Sequence, residues 1–143
     1  MKYVQRKESG IASVEFTIVL PLLLLFLVAI GEFGNAFIRY NTLSKAVQNG
    51  ARFAVSEVYG TAKAENIAPT SEIQNAVIYG NPHPVDGATP VLDPLTVNVS
   101  YDDVGNYVVV TAAYPYTPIV GAFLGDALSD VTLTASSVMR VAP

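Results

Sequence analysis

The sequence predicts an α+β fold in which one long N-terminal helix precedes a small domain with an antiparallel sheet of three or more strands. Two observations lead to this prediction. Residues 11–30 are apolar almost throughout, and apolar residues then recur at spacings of three and four up to residue 55, which is typical of a helix. Three segments nearer the C-terminus alternate apolar and polar side chains, as half-buried strands do.

The apolar stretch at residues 11–30 is long enough to cross a membrane, because a hydrocarbon core of about 30 Å requires about 20 mostly apolar helical residues. Pro21 lacks a backbone N–H and can kink this helix. Glu15 is the one charged residue in the stretch. An ionisable side chain inside a spanning helix is costly and is usually paired. The alternative interpretation is that Glu15 is a tolerated charge near the membrane interface.

The second half of the predicted helix, to residue 55, is amphipathic. Its apolar positions are Phe33, Phe37, Tyr40, Leu43, Val47, Ala51 and Ala54. Ala46, Gly50 and Ala54 form a line of small residues spaced four apart. Glycine in a helix interior costs about 1 kcal/mol relative to alanine, so it usually marks a close approach of another element. This line packs either on the chain's own sheet or on the helix of another subunit.

Residues 56–143 leave room for one small domain. A short helix is predicted at residues 71–79, with Ser71 as its N-cap. Strands are predicted at residues 96–101, 107–114 and 131–136, and residues 102–106 are predicted to be the loop of a hairpin between the first two. This loop has too few carboxylates for a recognised calcium site. Residues 115–130 form either a loop or short helix over the core, or a surface patch for a neighbouring subunit.

The composition excludes several classes of chemistry. The chain has no cysteine and one histidine, so disulfides and thiolate metal sites are ruled out. It contains no Gly-x-Ser-x-Gly, no His-Glu-x-x-His and no glycine-rich phosphate loop. We therefore expect no enzymatic activity, no catalytic residues, no cofactor and no metal.

Charge is distributed unevenly along the chain. The first ten residues carry three bases and one acid, and the rest of the chain carries five bases and eleven acids. Because basic flanks stay in the cytoplasm, we expect the N-terminus inside and the C-terminal domain outside. The acidic balance disfavours nucleic acid as a partner. A rival interpretation is a secretory signal peptide with small residues Ala29 and Gly31 at its cleavage site.

The residues around Glu15 also match a processing site. Lys2, Arg6 and Lys7 precede Gly10, Glu15 is the fifth residue after that glycine, and aromatic Phe16 follows. This pattern resembles the prepilin peptidase site of type IV pilin-like proteins, where the leader is cut after glycine. The resemblance implies a leader at residues 1–10 and a scissile bond between Gly10 and Ile11. Together with the helical pattern and the charge distribution, this predicts a long helix at residues 11–55 and an extracytoplasmic domain at residues 56–143.

A narrower resemblance lies in four short motifs. They are Ser13-Val14-Glu15-Phe16, Leu20-Pro21, Gly31-Glu32-Phe33-Gly34 and Asn49-Gly50-Ala51-Arg52. They look like the TadE-like family, whose members are minor pilins or pseudopilins of the tight-adherence (Tad, Flp, type IVc) pilus system. Residues 132–140 are also similar to the terminal strand of that family.

The TadE-like resemblance implies a single-pass protein of the cytoplasmic (inner) membrane. It would be a structural subunit in pilus assembly and would support adhesion and biofilm formation. The subunit would either stay in the membrane or enter a surface pilus. The implied partners are the prepilin peptidase, other pilin-like subunits, pilus assembly membrane proteins and membrane lipid. Pilin-like families use the fifth-position Glu for assembly, so Glu15 and Phe16 would serve there. The alternative is a membrane-tethered envelope binding protein that is not part of a filament.

Overall fold

The computed structural model describes residues 8–56, 67–119 and 131–141. Its elements are α1 (Glu8–Ser56), α2 (Thr70–Tyr79), β1 (Thr96–Asp102), β2 (Tyr107–Tyr116) and β3 (Val131–Arg140). The three strands form an antiparallel sheet in the order β1-β2-β3. The predicted α+β class is confirmed, with a long helix, a short helix and then a three-stranded sheet that packs on the long helix.

Helix α1 is 49 residues long and continues through Pro21. The chain forms two compact units, Met1–Asn35 and Ala36–Pro143, and the bounds of α1 extend over parts of both. In the first unit, all side chains of residues 10–30 are exposed. This part of the helix is long and apolar enough to cross a membrane, and the described chain does not bury it.

The second unit has one hydrophobic core, to which the last third of α1 contributes. Leu43 and Val47 are fully buried, and burying such a side chain contributes about 1.5–3 kcal/mol. They share the core with Ile73 and Val77 of α2 and with the inward face of the sheet. The buried sheet residues of this cluster are Val108, Val110, Ala112 and Ala135.

The sheet has one apolar and one polar face because side chains alternate along each strand. Val110 of the central strand faces the core and pairs with Val99 of β1. On the opposite face, the hydroxyl groups of the cross-strand pair Thr111 and Ser136 form a hydrogen bond of 3.1 Å. The three predicted strands are present, but each runs further than predicted, β1 by one residue, β2 by two and β3 by four.

Pro115 explains why the end of β2 was predicted too early. Proline has no backbone N–H to donate to a neighbouring strand, so in a sequence it indicates a strand end or a sheet edge. The pairing with β1 stops at the pair Thr96 and Ala113, and beyond it β2 pairs only with β3, where Pro115 lies opposite Thr132. Among the described residues, the part of β2 that contains Pro115 therefore has one neighbouring strand, β3.

The predicted N-cap of α2 is wrong. The helix begins at Thr70, Pro69 occupies the cap position, and no side chain caps it. Instead, the Pro69 carbonyl accepts hydrogen bonds from the backbone N–H groups of Glu72 and Ile73, at 3.0 and 3.1 Å. Proline disfavours the helical conformation in Ala68, the residue before it, and Pro69 itself has a non-helical ψ of 133°, so Thr70 is the first helical residue. The helix ends at Tyr79, and Gly80 follows with a φ of 72°, which suits glycine.

Three hydrogen bonds attach α2 and its flanking segments to the rest of the unit. The N–H of Ala68 donates to the carbonyl of Ala54 near the end of α1, at 3.1 Å. The side-chain amide of Gln74 donates to the Val97 carbonyl of β1, at 3.3 Å. The N–H of Val91 donates to the Ile78 carbonyl, at 2.7 Å. Helix α2 is thereby fixed to both α1 and the first strand.

The predicted hairpin between β1 and β2 is present, with a turn at residues 103–106. Asp102, predicted to start the loop, is the last residue of β1 and pairs with Tyr107. Its carboxylate accepts hydrogen bonds from the Tyr107 hydroxyl and the Val104 N–H, and both lower the pKa of Asp102. The same contact with Asp102 raises the pKa of Tyr107. Of the predicted 115–130 connection, residues 120–130 lie outside the described residues.

The three small residues of α1 are buried in this core. Ala46 is 7% exposed and Ala54 is 0% exposed. A Cβ atom added to Gly50 would overlap the side chain of Val77, and the Ile73 carbonyl oxygen is 3.5 Å from the same position. The nearest neighbours of Gly50 therefore belong to α2 rather than to the sheet, and there is no space for a larger residue.

We expect Gly50→Leu to destabilise the second unit by about 1–3 kcal/mol, because overpacking forces neighbouring side chains out of their preferred rotamers. Thermal and denaturant unfolding of the full chain in detergent would measure this loss. Asn49→Leu adds the same side chain at an exposed neighbouring position and should leave stability nearly unchanged. Equal stability of the Gly50→Leu variant and the wild type would contradict the packing described for Gly50.

We expect Tyr107→Phe to raise the pKa of Asp102 towards its ordinary value of 3.8, because the main hydrogen bond to the carboxylate is lost. A carboxylate with a lowered pKa stabilises the fold above its unfolded-state pKa, and this contribution is lost as the pH falls through the folded-state pKa. An NMR pH titration of the Asp102 carboxyl carbon would measure the change. An unchanged titration midpoint would show that the Tyr107 hydroxyl does not act on Asp102.

Candidate functional site

The residues predicted for processing and assembly lie together near the start of α1. Gly10, Ile11, Glu15 and Phe16 are all helical and exposed. Ile11 and Glu15 are four residues apart, which places them on the same side of a helix one turn from each other. The predicted leader is described only in its last three residues, because residues 1–7, including the basic ones, lie outside the described part of the chain.

The fold of the chain does not explain why residue 10 is glycine. Apart from the adjacent residues and the backbone of its own helix, a Cβ atom added to Gly10 would meet nothing within 4 Å, and the same is true of Gly31 and Gly34. Glycine costs a helix about 1 kcal/mol relative to alanine. Packing within the chain accounts for this cost at Gly50 but not at Gly10, so any requirement for glycine at position 10 comes from outside the described chain.

The surface around Glu15 is apolar. Val14, Phe16 and Ile18 are 61%, 60% and 72% exposed. The hydroxyl of Thr17 donates a hydrogen bond of 2.8 Å to the Ser13 carbonyl, so that polar group is satisfied within the helix. A helix with its polar groups satisfied internally suits a lipid environment. The Glu15 carboxylate is therefore a single ionisable group on an exposed apolar surface.

The described residues contain no constellation for metal binding. No group of three or more His, Cys, Asp or Glu side chains that could hold a metal ion is present among them. They also include no buried polar or charged side chain, although catalytic sites commonly contain such groups with shifted pKa values. What this arrangement can do chemically is to present an apolar helical surface that carries one carboxylate.

The structure divides the apolar stripe that the sequence predicts along the second half of α1. Leu43 and Val47 are 0% exposed, whereas Phe33 and Phe37 are 76% and 58% exposed. Periodicity places all four residues on similar sides of the helix but does not show how far the small domain reaches along it. Periodicity alone therefore does not reveal this exposed apolar segment before Leu43.

Comparison with known proteins bears on the same part of the chain. A family model described as TadE-like protein matches residues 10–52. No curated protein and no solved structure matches the chain. The matched region contains the exposed apolar part of α1, Glu15, and the line of small residues as far as Gly50. Residues 10–52 of this chain are therefore a TadE-like family domain.

Proposed function

We propose that this protein is a membrane-anchored, pilin-like subunit that takes part in the assembly of a Tad pilus, as a minor component, and thereby supports adhesion and biofilm formation. The observation that carries the proposal is the match of residues 10–52 to the TadE-like family, on a helix whose first part is apolar and exposed. The TadE-like pilin family is not known to be enzymatic. A structural role agrees with both observations.

In this proposal the first part of α1 is a single anchor in the cytoplasmic membrane. The basic residues at the N-terminus stay in the cytoplasm, and residues 56–143 lie outside. Residues 1–10 are a leader that the prepilin peptidase removes between Gly10 and Ile11. The exposure of Gly10 and Ile11 on the helix supports access to that bond.

Glu15 acquires a partner through this cleavage. The cut creates a positive α-amino group on Ile11 at the edge of the lipid, and both charges are costly there unless they are paired. Within one helix the two groups are about a turn apart and satisfy each other only partly. We therefore propose that Glu15 of an incoming subunit meets the α-amino group of a pilin-like subunit already in place. This ion pair fixes the depth at which the two helices pack, and Phe16 lies beside it.

We expect Gly10→Val to block removal of the leader, because a side chain at this position obstructs the approach of the peptidase to the backbone. Mass spectrometry and N-terminal sequencing of the protein extracted from membranes would detect the full-length precursor. Gly34→Val is the matched control, since it adds the same side chain to an equally open glycine of α1 and should be cut normally.

Normal removal of ten residues from the Gly10→Val variant would overturn the assigned cleavage site. A mature N-terminus at Glu32 in the wild type would instead identify the stretch as a secretory signal peptide. An uncut but membrane-bound wild type would favour the second candidate function, a tethered envelope binding protein, because a simple tether has no need of this cut.

We expect Glu15→Gln to leave membrane insertion and cleavage intact but to weaken association with other pilin-like subunits by about 30-fold or more, because removing one charge from a desolvated pair costs at least ~2 kcal/mol. Co-purification and crosslinking of pilus components would measure the loss. Glu32→Gln, on the same helix, serves as the control for a neutralised acid. Undiminished association and normal piliation in the Glu15→Gln strain would leave Glu15 as a tolerated interfacial acid.

A further inference from the structure

We propose that Phe37, Ile38 and Tyr40, at the start of the second unit, insert into the outer interface of the lipid bilayer and form a second lipid contact beyond the apolar span. We call these three residues the interfacial turn. The inference rests on the proposed membrane anchor and adds the depth at which the helix lies in the bilayer. The partner of the interfacial turn is the boundary layer between lipid headgroups and acyl chains.

The interfacial turn is uncovered by the described part of its own unit. Phe37, Ile38 and Tyr40 are 58%, 64% and 42% exposed, whereas Leu43, only three residues later, is 0% exposed. At about 100° per residue the three side chains cover an arc of about 160° around the helix. A single partner helix needs only a narrow seam, so an arc of this width suits a fluid surrounding such as lipid better than one protein neighbour.

The polar groups near the interfacial turn are compatible with a position at the headgroups. The hydroxyl of Thr42 donates a hydrogen bond of 3.0 Å to the Ile38 carbonyl. Arg39 is exposed between the apolar residues; its long stem can lie along apolar surface while the guanidinium reaches phosphates or water. Exposed Asn41 and Lys45 follow, which indicates where the helix leaves the lipid.

Helix length agrees with this depth. If Glu15 lies at the inner boundary of the hydrocarbon, about 20 residues at 1.5 Å each carry the helix from residue 16 to about residue 35. The interfacial layer beyond is about 5–8 Å thick, which at 1.5 Å per residue corresponds to about three to five further residues and reaches about residue 40. Those residues include the interfacial turn. This depth places Glu15 at the inner boundary and Glu32 within one helical turn of the outer boundary, so neither carboxylate lies at the hydrocarbon centre, where a charge is most costly.

The chain contains no tryptophan, so a single introduced tryptophan reports on one position. Phe37→Trp and Ile38→Trp probe two sides of the interfacial turn, about 100° apart. Phe26→Trp probes the apolar span, where Phe26 is 56% exposed. Val138→Trp is the matched control in the second unit, since Val138 is 62% exposed and lies on the sheet face opposite the core. Each full-length variant would be reconstituted into phosphatidylcholine vesicles with or without acyl-chain bromination.

We expect brominated lipid to quench more than half of the fluorescence of the Phe26→Trp, Phe37→Trp and Ile38→Trp variants, with blue-shifted emission, and to leave Val138→Trp unquenched. If the Phe26→Trp variant is quenched but one or both of the variants at positions 37 and 38 are not, the inference is overturned and the membrane anchor stands. Absence of quenching at Phe26 would instead contradict the membrane anchor itself. Equal quenching at Val138 would also overturn the inference.

Discussion

The structure depends on how the apolar surface of α1 is covered. The chain covers only the last third of this helix, where Leu43, Val47 and Ala51 have no exposed surface and Gly50 lets α2 approach closely. The side chains of residues 10–30 are all exposed, although they are predominantly apolar. Because apolar surface in water costs about 25 cal/mol per Å², a helix of this kind requires a cover that the described chain does not supply.

Lipid and neighbouring helices are the two covers that fit such a surface, and the proposed function uses both. An apolar helix with internally satisfied hydroxyl groups is stable in a bilayer. In the bilayer, apolar contacts alone hardly favour one neighbour of the helix over another, because lipid tails are as apolar as its side chains. A single carboxylate such as Glu15 supplies that choice, since a charge at low dielectric strongly favours the one arrangement in which it is paired.

Sequence patterns predicted the order and type of the elements because each pattern is local. The period of the apolar residues indicated α1, and the alternation at residues 96–101 indicated β1. The two errors have different causes. Pro115 is accommodated because β1, which is distant from it in sequence, stops short of it, whereas the start of α2 is set locally by Pro69 without a side-chain cap.

The candidate processing site stays a prediction. Sequence alone can indicate such a site at Gly10 and Glu15, because a processing motif is a linear signal. The neighbour of Gly50 was not predictable, since a line of small residues indicates close approach without naming what approaches. The exposure of Phe37 was missed for a related reason, because periodicity does not show where the core ends.

The central claim is that this chain is a processed, membrane-anchored pilin-like subunit. The most direct measurement is the intact mass of the protein isolated from membranes of cells that have or lack prepilin peptidase. We expect a chain beginning at Ile11 when the peptidase is present and a full-length chain when it is absent. The same N-terminus in both strains would contradict the account.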